Sequence, residues 1–578
     1  MSKQQIKNQR GVMLNAYPDS IGKKFEDCIQ LLEEELLKDC FSHFYILPTF
    51  FNSDLDRGFS IINYDVNQEL VQDSDLDRLK ALGIQLKFDI VLNHLSVASP
   101  QFKDLLENGE ASLYKDFFIH WNNFWQDESV VGKDGVAVPK PVHLSKLFMR
   151  KSGLPVLKVP FPDGSEQPYW NTFYQKVGYT AITPEELSAV IGAREDISEV
   201  CTYVNQALKG EQPFDTIDWE GKKLDKDLMI PFLKTKRTFL GQMDLNAKSK
   251  KVWDFYEETL EKLANYGGNI IRLDAFAYLH KAVGEINFFN DPGTWDYLER
   301  IKKIADDKQL NLLPEIHAEF GTGLHRAVAE KGYMIYDFFF PGLILHSLES
   351  RSSAALKKWI EEILEHNYQT VNMLGCHDGI PVLDLKGKET EQGYGEGLLT
   401  DKEIEAVMSS VLDRGGTVKN LYDAEGKKIS YYQINATFFS ALGEDESKLL
   451  IARAIQLFMP GIPQIWYLDL FLGTNDYQAV ERAGNGGHKE INRTNLSLEK
   501  IHEQLSKRAV QEQLKWIRFR NQSAVFEGAF ELVKSHETDL TLRWSTATEE
   551  ATLSVDLKAL TAKIKHTKGL EVNIYDIV

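Results

Sequence analysis

Cysteine is scarce in this chain. Only Cys28, Cys40, Cys201 and Cys376 occur in 578 residues, without CxxC or CxxxC spacing, so neither a zinc cluster nor a disulfide framework is indicated. Free thiols suit a reducing compartment, and the cytoplasm is the expected location. Long apolar runs are missing too. No stretch approaches the roughly 20 residues that span a bilayer, and the opening MSKQQIKNQRGVMLNAY has no long apolar core behind its basic residues. Neither a leader peptide nor a membrane partner is expected. Positive charge is in deficit: 66 Lys and Arg stand against 85 Asp and Glu, a formal net charge of −19, which argues against a nucleic-acid backbone as partner. A neutral or small ligand fits better, and a local Arg or Lys cluster can still hold a phosphate on such a surface. Internal repeats and low-complexity tracts are absent, which excludes a solenoid.

What is present is an ordinary globular mixture, 43% hydrophobic and 26% charged, long enough for a large core. Apolar strand-like runs alternate with amphipathic helical stretches: GVMLNAY, a helix near Phe25 to Lys38, HFYILPTFF, a helix from Leu76 to Leu82, then IQLKFDIVLNH. Strand followed by helix, with strands apolar on successive residues, predicts a parallel α/β sheet, here an α/β (β/α)8 TIM barrel. The rhythm breaks between about Leu95 and Phe239 and resumes at VWDFYEETLEKLANYGGNIIRLDAFAY, so a long insertion follows the third strand. Later strands are read at Leu310 to His317, Tyr333 to Phe340, Thr370 to Asp378 and Pro460 to Tyr467. After Arg520, AFELVKSH, DLTLRWS, EATLSVDL and LEVNIYDI alternate as short antiparallel strands. The expected domains are residues 1–95 as the first part of the barrel and 96–240 as an inserted domain with an extra segment at about 174–241. Residues 241–525 complete the barrel, with a loop region at about 384–440, and 526–578 form a small C-terminal antiparallel β domain.

Reactive residues of such barrels sit at the C-terminal ends of strands, and polar residues end four of the strands in order. They are Asp89, Asn93 and His94; Arg272 and Asp274; Glu315; and His377 and Asp378. A lone carboxylate there is ordinarily a cap or a surface charge; four strand ends in succession change the odds. Cleaving a glycosidic bond with retention takes a carboxylate nucleophile and a carboxylic acid about 5 Å apart. Strands four and five are neighbours, so Asp274 and Glu315 can supply them. Arg272, two residues ahead on the same face, is expected to hold Asp274 ionised, and the apolar Leu312, Leu313 and Pro314 to raise Glu315 into the range of a general acid. Asp378 would lie across the sugar and stabilise oxocarbenium-like charge.

These segments resemble the α-amylase superfamily, glycoside hydrolase family 13. FDIVLNH, QMDLN, IIRLDAFAY, PEIHAEF and LGCHDGIP are similar to five conserved regions, in order and across most of the barrel. The resemblance implies Asp274 as nucleophile, Glu315 as acid/base and Asp378 as stabiliser, with His94, Arg272 and His377 on the glucosyl ring. SDLDRGFSIINYDV adds Asp56 and Phe59 as substrate-binding residues, and EINR adds Arg493 as the partner of Asp56. No cofactor and no metal site are implied.

NHLSVASPQFKDLLENGE, YDFFFPGLILHSL, CHDGIPVLDL, YYQINATFFSALG and PGIPQIWYLDLFLGTNDYQAV look like the sucrose phosphorylase subgroup nearly end to end. The resemblance implies transfer of an α-glucosyl group from sucrose or a related α-glucoside to phosphate, through a glucosyl-enzyme, giving α-glucose 1-phosphate. The alternative is an α-glucosidase or transglucosidase with the same nucleophile and water or a sugar as acceptor. Gln433 is assigned to the substrate, and Tyr278, Tyr432, Phe173 and the basic pair Arg150 and Lys151 of MRKSGLP to phosphate or acceptor. The subgroup's prolines are missing from that last loop. WNTF and QMDLN stand about 68 residues apart, where the subgroup has almost nothing between. That insertion leaves three readings open: altered acceptor choice, a homodimer contact, or a passive surface addition.

Overall fold

The computed structural model describes residues 11–578 apart from 151–152, 174, 210–213, 391–392, 423–427 and 485–486, and all their side chains except those of 215 and 420–432. Runs apolar on successive residues are stable as strands only when both faces are covered. Eight such runs form the barrel: β1 (Met13–Ala16), β2 (His43–Ile46), β3 (Gln85–Val91), β4 (Gly268–Asp274), β5 (Asn311–Pro314), β6 (Ile335–Asp337), β7 (Thr370–Met373) and β8 (Ile462–Trp466). Each pairs in parallel with its neighbour from β1 through β5, β6 pairs with β7, β7 with β8, and β8 returns to β1. The seam between β5 and β6 is bridged where the Met334 N–H donates to the Leu312 carbonyl at 3.3 Å. Every residue of β1, β6, β7 and β8 is buried.

Several strands stop short of their apolar runs for local reasons. The second ends at Ile46 because Pro48, which lacks an N–H, opens a one-turn helix. The sixth ends at Asp337, whose carboxylate accepts the Phe340 N–H at 3.0 Å at the start of the helix Phe340–Ser350, so Phe338 and Phe339 turn and the last expected residue, Phe340, is helical.

The insertion follows β3. Its first half packs Trp121, Trp125 and Trp170 around a hairpin of Val156–Pro160 and Glu166–Trp170. Its second half carries Gln175–Tyr179 against Arg237–Asp244, which in turn pairs antiparallel with His94–Ser96. Between those two strands lie helices Pro184–Ile191, Ile197–Lys209 and Lys226–Thr235, with a core of their own built on Leu187, Val204, Trp219 and Leu233. The expected Thr-Pro start is a full capping box: Thr183 Oγ1 accepts the Glu186 N–H at 3.2 Å, and the Glu186 carboxylate accepts the Thr183 N–H at 3.0 Å.

The C-terminal sheet has five antiparallel strands in sequential order, β9 (Ala529–Val533), β10 (Asp539–Ser545), β11 (Glu549–Asp556), β12 (Thr561–Lys568) and β13 (Glu571–Asp576). Four were legible in the sequence and β12 was not. Its inward residues Ala562 and Ile564 alternate with Lys563 and Lys565, and the lysines mask the apolar period. The sheet is fixed to the barrel by Trp544, whose Nε1–H donates to the Phe458 carbonyl at 2.8 Å, and by Arg520, whose guanidinium lies 4.4 Å from the Phe526 ring and 5.1 Å from that of Trp544.

Candidate active site

The register of β4 on β5 puts Leu273 opposite Pro314, so the next residue of each, Asp274 and Glu315, emerge side by side at the C-terminal rim. Ala275 then takes a left-handed conformation (φ 53°), which turns its N–H onto Glu315 Oε2 at 3.3 Å. Arg272, almost fully buried, is the hub. Its Nη1 lies 2.7 Å from Asp89 and 2.9 Å from Asp274, and its Nη2 lies 2.8 Å from Glu315 and 3.8 Å from Asp378. Only a planar guanidinium can meet carboxylates from four strand ends at once. Tyr45, not foreseen from the sequence, donates its hydroxyl to Asp89 at 2.8 Å and orients the hub from behind.

The proton distribution differs from the expectation. Arg272 and His317 hold Glu315 well below the usual carboxylate range, whereas burial and the neighbouring Glu315, Asp89 and Asp378 charges push Asp274 well above it. Leu312, Leu313 and Pro314 precede Glu315 along the strand, but the carboxylate itself lies against a cation. Asp378, beside His377, Lys489 and Arg272, is held well below its ordinary value. Its Oδ1 accepts from Lys489, and His377 Nε2 lies 3.2 Å from its Oδ2.

Phe59 stacks on His377 with centroids 5.0 Å apart and interplanar angle 16°, a flat wall beside the carboxylates. His94, next to it, contacts the Phe59 carbonyl through Nε2 at 3.2 Å, and burial lowers its pKa to about 4, so it serves as a neutral ring. Phe173 packs on His94 at 4.8 Å and on Tyr278 at 5.2 Å, and Arg150 reaches the Tyr278 hydroxyl at 3.3 Å. Gln433 is buried opposite Pro381, where a Cβ on Gly379 would come 3.0 Å from its side chain. Arg493 lies 3.6 Å from Asp56 and donates to the His377 carbonyl at 2.8 Å. These contacts connect the described expected residues to one another, Gln433 through its approach to Gly379 beside Asp378; Lys151 and the side chain of Tyr432 lie outside the described residues.

Several neighbours went unassigned in the sequence. Asp244 of QMDLN is buried with Lys281 at 2.9 Å and accepts from Thr172 and Asn93, which ties the insertion to the ends of β3 and β4. Lys489 and His488 precede the EINR motif, and Lys419 comes from the strand Thr417–Tyr422. Burial and the charges of Lys489 and Arg150 bring Lys419 down to about 7. Burial and the charges of Lys419 and Lys489 bring His488 down to about 4, so it is a neutral ring there, and the lysines, with Arg150 and Arg493, form a basic rim over an acidic floor. Cys376, His377 and Asp378 offer three ligand atoms within 4.8 Å of one another, but Lys489 and Arg272 already neutralise Asp378 and make a poor setting for a metal ion.

Fold and site together define a carbohydrate-active barrel of the α-amylase superfamily, with an insertion after β3 and a C-terminal β sheet. No family model matches the chain. Among curated proteins it is 52% identical over 567 residues to a sucrose 6(F)-phosphate phosphorylase of Ilumatobacter coccineus, covering 98% of both chains. It is 31% identical to a sucrose phosphorylase of Streptococcus mutans, covering 92% of both. Among solved structures, that of sucrose 6F-phosphate phosphorylase from Thermoanaerobacter thermosaccharolyticum superposes with a TM-score of 0.78 at 30% identity, over 99% of this chain and 98% of that one. The chain belongs to the sucrose phosphorylase-like group of glycoside hydrolase family 13.

Proposed function

We propose that the protein is a retaining glycoside phosphorylase that carries the α-glucosyl group of a sucrose-type donor, with a phosphate on the fructosyl part, to inorganic phosphate. The observation that carries this reading is the contrast between a carboxylate floor gathered on Arg272 and a rim bearing Lys489, Lys419, Arg150 and Arg493. The floor suits chemistry at the anomeric carbon; the rim suits an anionic acceptor and an anionic leaving group.

In this mechanism Asp274 attacks C1 while Glu315 protonates the departing oxygen, and phosphate then attacks the glucosyl-enzyme from the vacated face, so configuration is retained as α-glucose 1-phosphate. Asp378 and His377 grip ring hydroxyls. The roles require the proton on Glu315 and not on Asp274. Because both carboxylates share Arg272, a donor entering between them can redistribute that proton without importing another. The four free cysteines are all buried, which supports a reducing compartment and hence the cytoplasm. No described helix is long and apolar enough to cross a membrane.

The test is product analysis with sucrose and with its 6F-phosphate, each with and without inorganic phosphate. α-Glucose 1-phosphate formed only with phosphate, and faster from the phosphorylated donor, is the expected outcome. Glucose released at comparable rates without phosphate would identify a glucosidase instead.

A further inference from the structure

Two residues with no part in the mechanism so far complete a line into the acid/base carboxylate. His317 lies two residues beyond Glu315 on the loop after β5, and its Nε2 is 3.3 Å from Glu315 Oε1. Its Nδ1 is 3.4 Å from Asp384 Oδ1. The imidazole is held flat on Phe338, centroids 4.0 Å apart at 27°. Asp384 sits in the one-turn helix Leu383–Leu385, just beyond the loop of Asp378, and is almost fully buried. Burial raises its pKa, and the neighbouring imidazole acts against that cost. At 3.4 Å the Asp384 carboxylate faces Nδ1 at ion-pair distance, and negative charge there favours a proton on that nitrogen.

We propose that Asp384 and His317 form a proton relay to Glu315 that prepares the site for an anionic nucleophile. The proposal rests on the phosphorylase reading. In the first displacement the Asp274 oxygen bonds to C1, the C1–O bond of the donor breaks with its electron pair on oxygen, and Glu315 supplies the proton. A bare Glu315 carboxylate would then repel incoming phosphate at close range. His317, protonated on both nitrogens, passes its Nε2 proton to Glu315 and keeps its Nδ1 proton on Asp384. Hydrogen phosphate dianion next bonds to C1 through oxygen while the C1–Asp274 bond breaks, and the proton on the new phosphate ester moves to His317 Nε2. Glu315 ends protonated and His317 cationic, as both began, so donor and phosphate are the only species consumed. The charged groups facing this line are Arg272 and Asp378 at the Glu315 end and Glu319, itself 2.8 Å from Lys388, at the Asp384 end.

The relay separates the two half-reactions, and α-glucosyl fluoride exposes the difference because fluoride departs without a proton. In Asp384→Asn the pre-steady-state fluoride burst should persist, because Glu315 gives up no proton to fluoride, while phosphate-dependent turnover of sucrose 6F-phosphate, in which Glu315 does give up its proton, falls by about 10- to 100-fold. The alkaline limb of turnover should move to lower pH, since an imidazolium without its carboxylate loses its proton more readily. His317→Gln, which fills the same space and carries no transferable charge, should keep the burst and lose the same turnover. Circular dichroism of both variants shows whether they fold. A burst that falls together with turnover in the folded variants, or an alkaline limb that stays in place, overturns the relay alone. A wild-type protein that turns over equally fast without phosphate overturns the functional reading and the relay with it.

Discussion

The floor of the site and its rim carry opposite charge on different kinds of backbone. On the floor, Asp89, Arg272, Asp274 and Glu315 come from the ends of β3, β4 and β5, adjacent strands whose hydrogen bonding leaves their side chains little freedom. On the rim, Arg150, Lys419, Lys489 and Arg493 come from the insertion, a small three-stranded sheet and the segment after β8, elements far apart in the chain. Bond-making at C1 tolerates little misplacement, so rigid strand ends suit it, whereas acceptor recognition can be retuned by replacing loops without disturbing the chemistry. Lys489 joins the two, being a rim residue that donates to Asp378 of the floor.

The largest expected effect is on the floor. Asp274→Asn should lower α-glucose 1-phosphate formation by roughly 10⁴-fold or more while the protein melts normally, since it removes the nucleophile and leaves the volume unchanged. Unchanged activity would refute the assignment. Arg272→Lys keeps one charge but cannot reach four carboxylates, and a loss of about 10²- to 10³-fold in kcat is expected. A rise in KM alone would place Arg272 in binding and dissolve the distinction between floor and rim.

On the rim the effects should be smaller and fall on affinity. Lys419→Met removes one charge-assisted contact, worth roughly 1.5–3 kcal/mol, so KM for the anionic substrate should rise about 10- to 100-fold with kcat little changed. The pH dependence sharpens this. Lys419, lowered to about 7, is charged below that pH and neutral above it, so wild-type KM should increase as pH rises through 7, and the variant should lose that dependence. Kinetics at pH 6 and 8 check both statements. The smallest effect belongs to neither region: Thr183→Ala should cost about 1 kcal/mol of stability in the inserted helices, read by hydrogen exchange, with turnover unaffected.

Much of the floor was legible because strand ends are local. Asp274 and Glu315 each close an apolar run, and the parallel order of a barrel makes successive strands neighbours. The rim was legible only where a motif included it, as with Arg493 in EINR. Lys419 lies in a stretch with no distinctive spacing, and Asp384, although inside CHDGIPVLDL, is far from Glu315 along the chain, so nothing local ties it to the acid/base carboxylate. His317 stood in plain view in PEIHAEF, yet its partner is a turn beyond β7. The C-terminal strand β12 was hidden by its lysines, and the run expected of β6 turned after Asp337, whose carboxylate accepts the Phe340 N–H at the start of the next helix.

The amino-acid sequence by itself determined the alternation of strand and helix, the insertion after β3, and the set of carboxylates, since these follow from periodicity and from residues that end apolar runs. Tertiary structure alone decided how those carboxylates share protons. Leu312, Leu313 and Pro314 argue for a protonated Glu315 when read along the chain, but the guanidinium of Arg272 approaches from the neighbouring strand at 2.8 Å and reverses the direction. Coulomb interaction falls off with distance through space and takes no account of distance along the chain, and for that reason the electrostatics of the site became visible only once the strands were closed into a barrel.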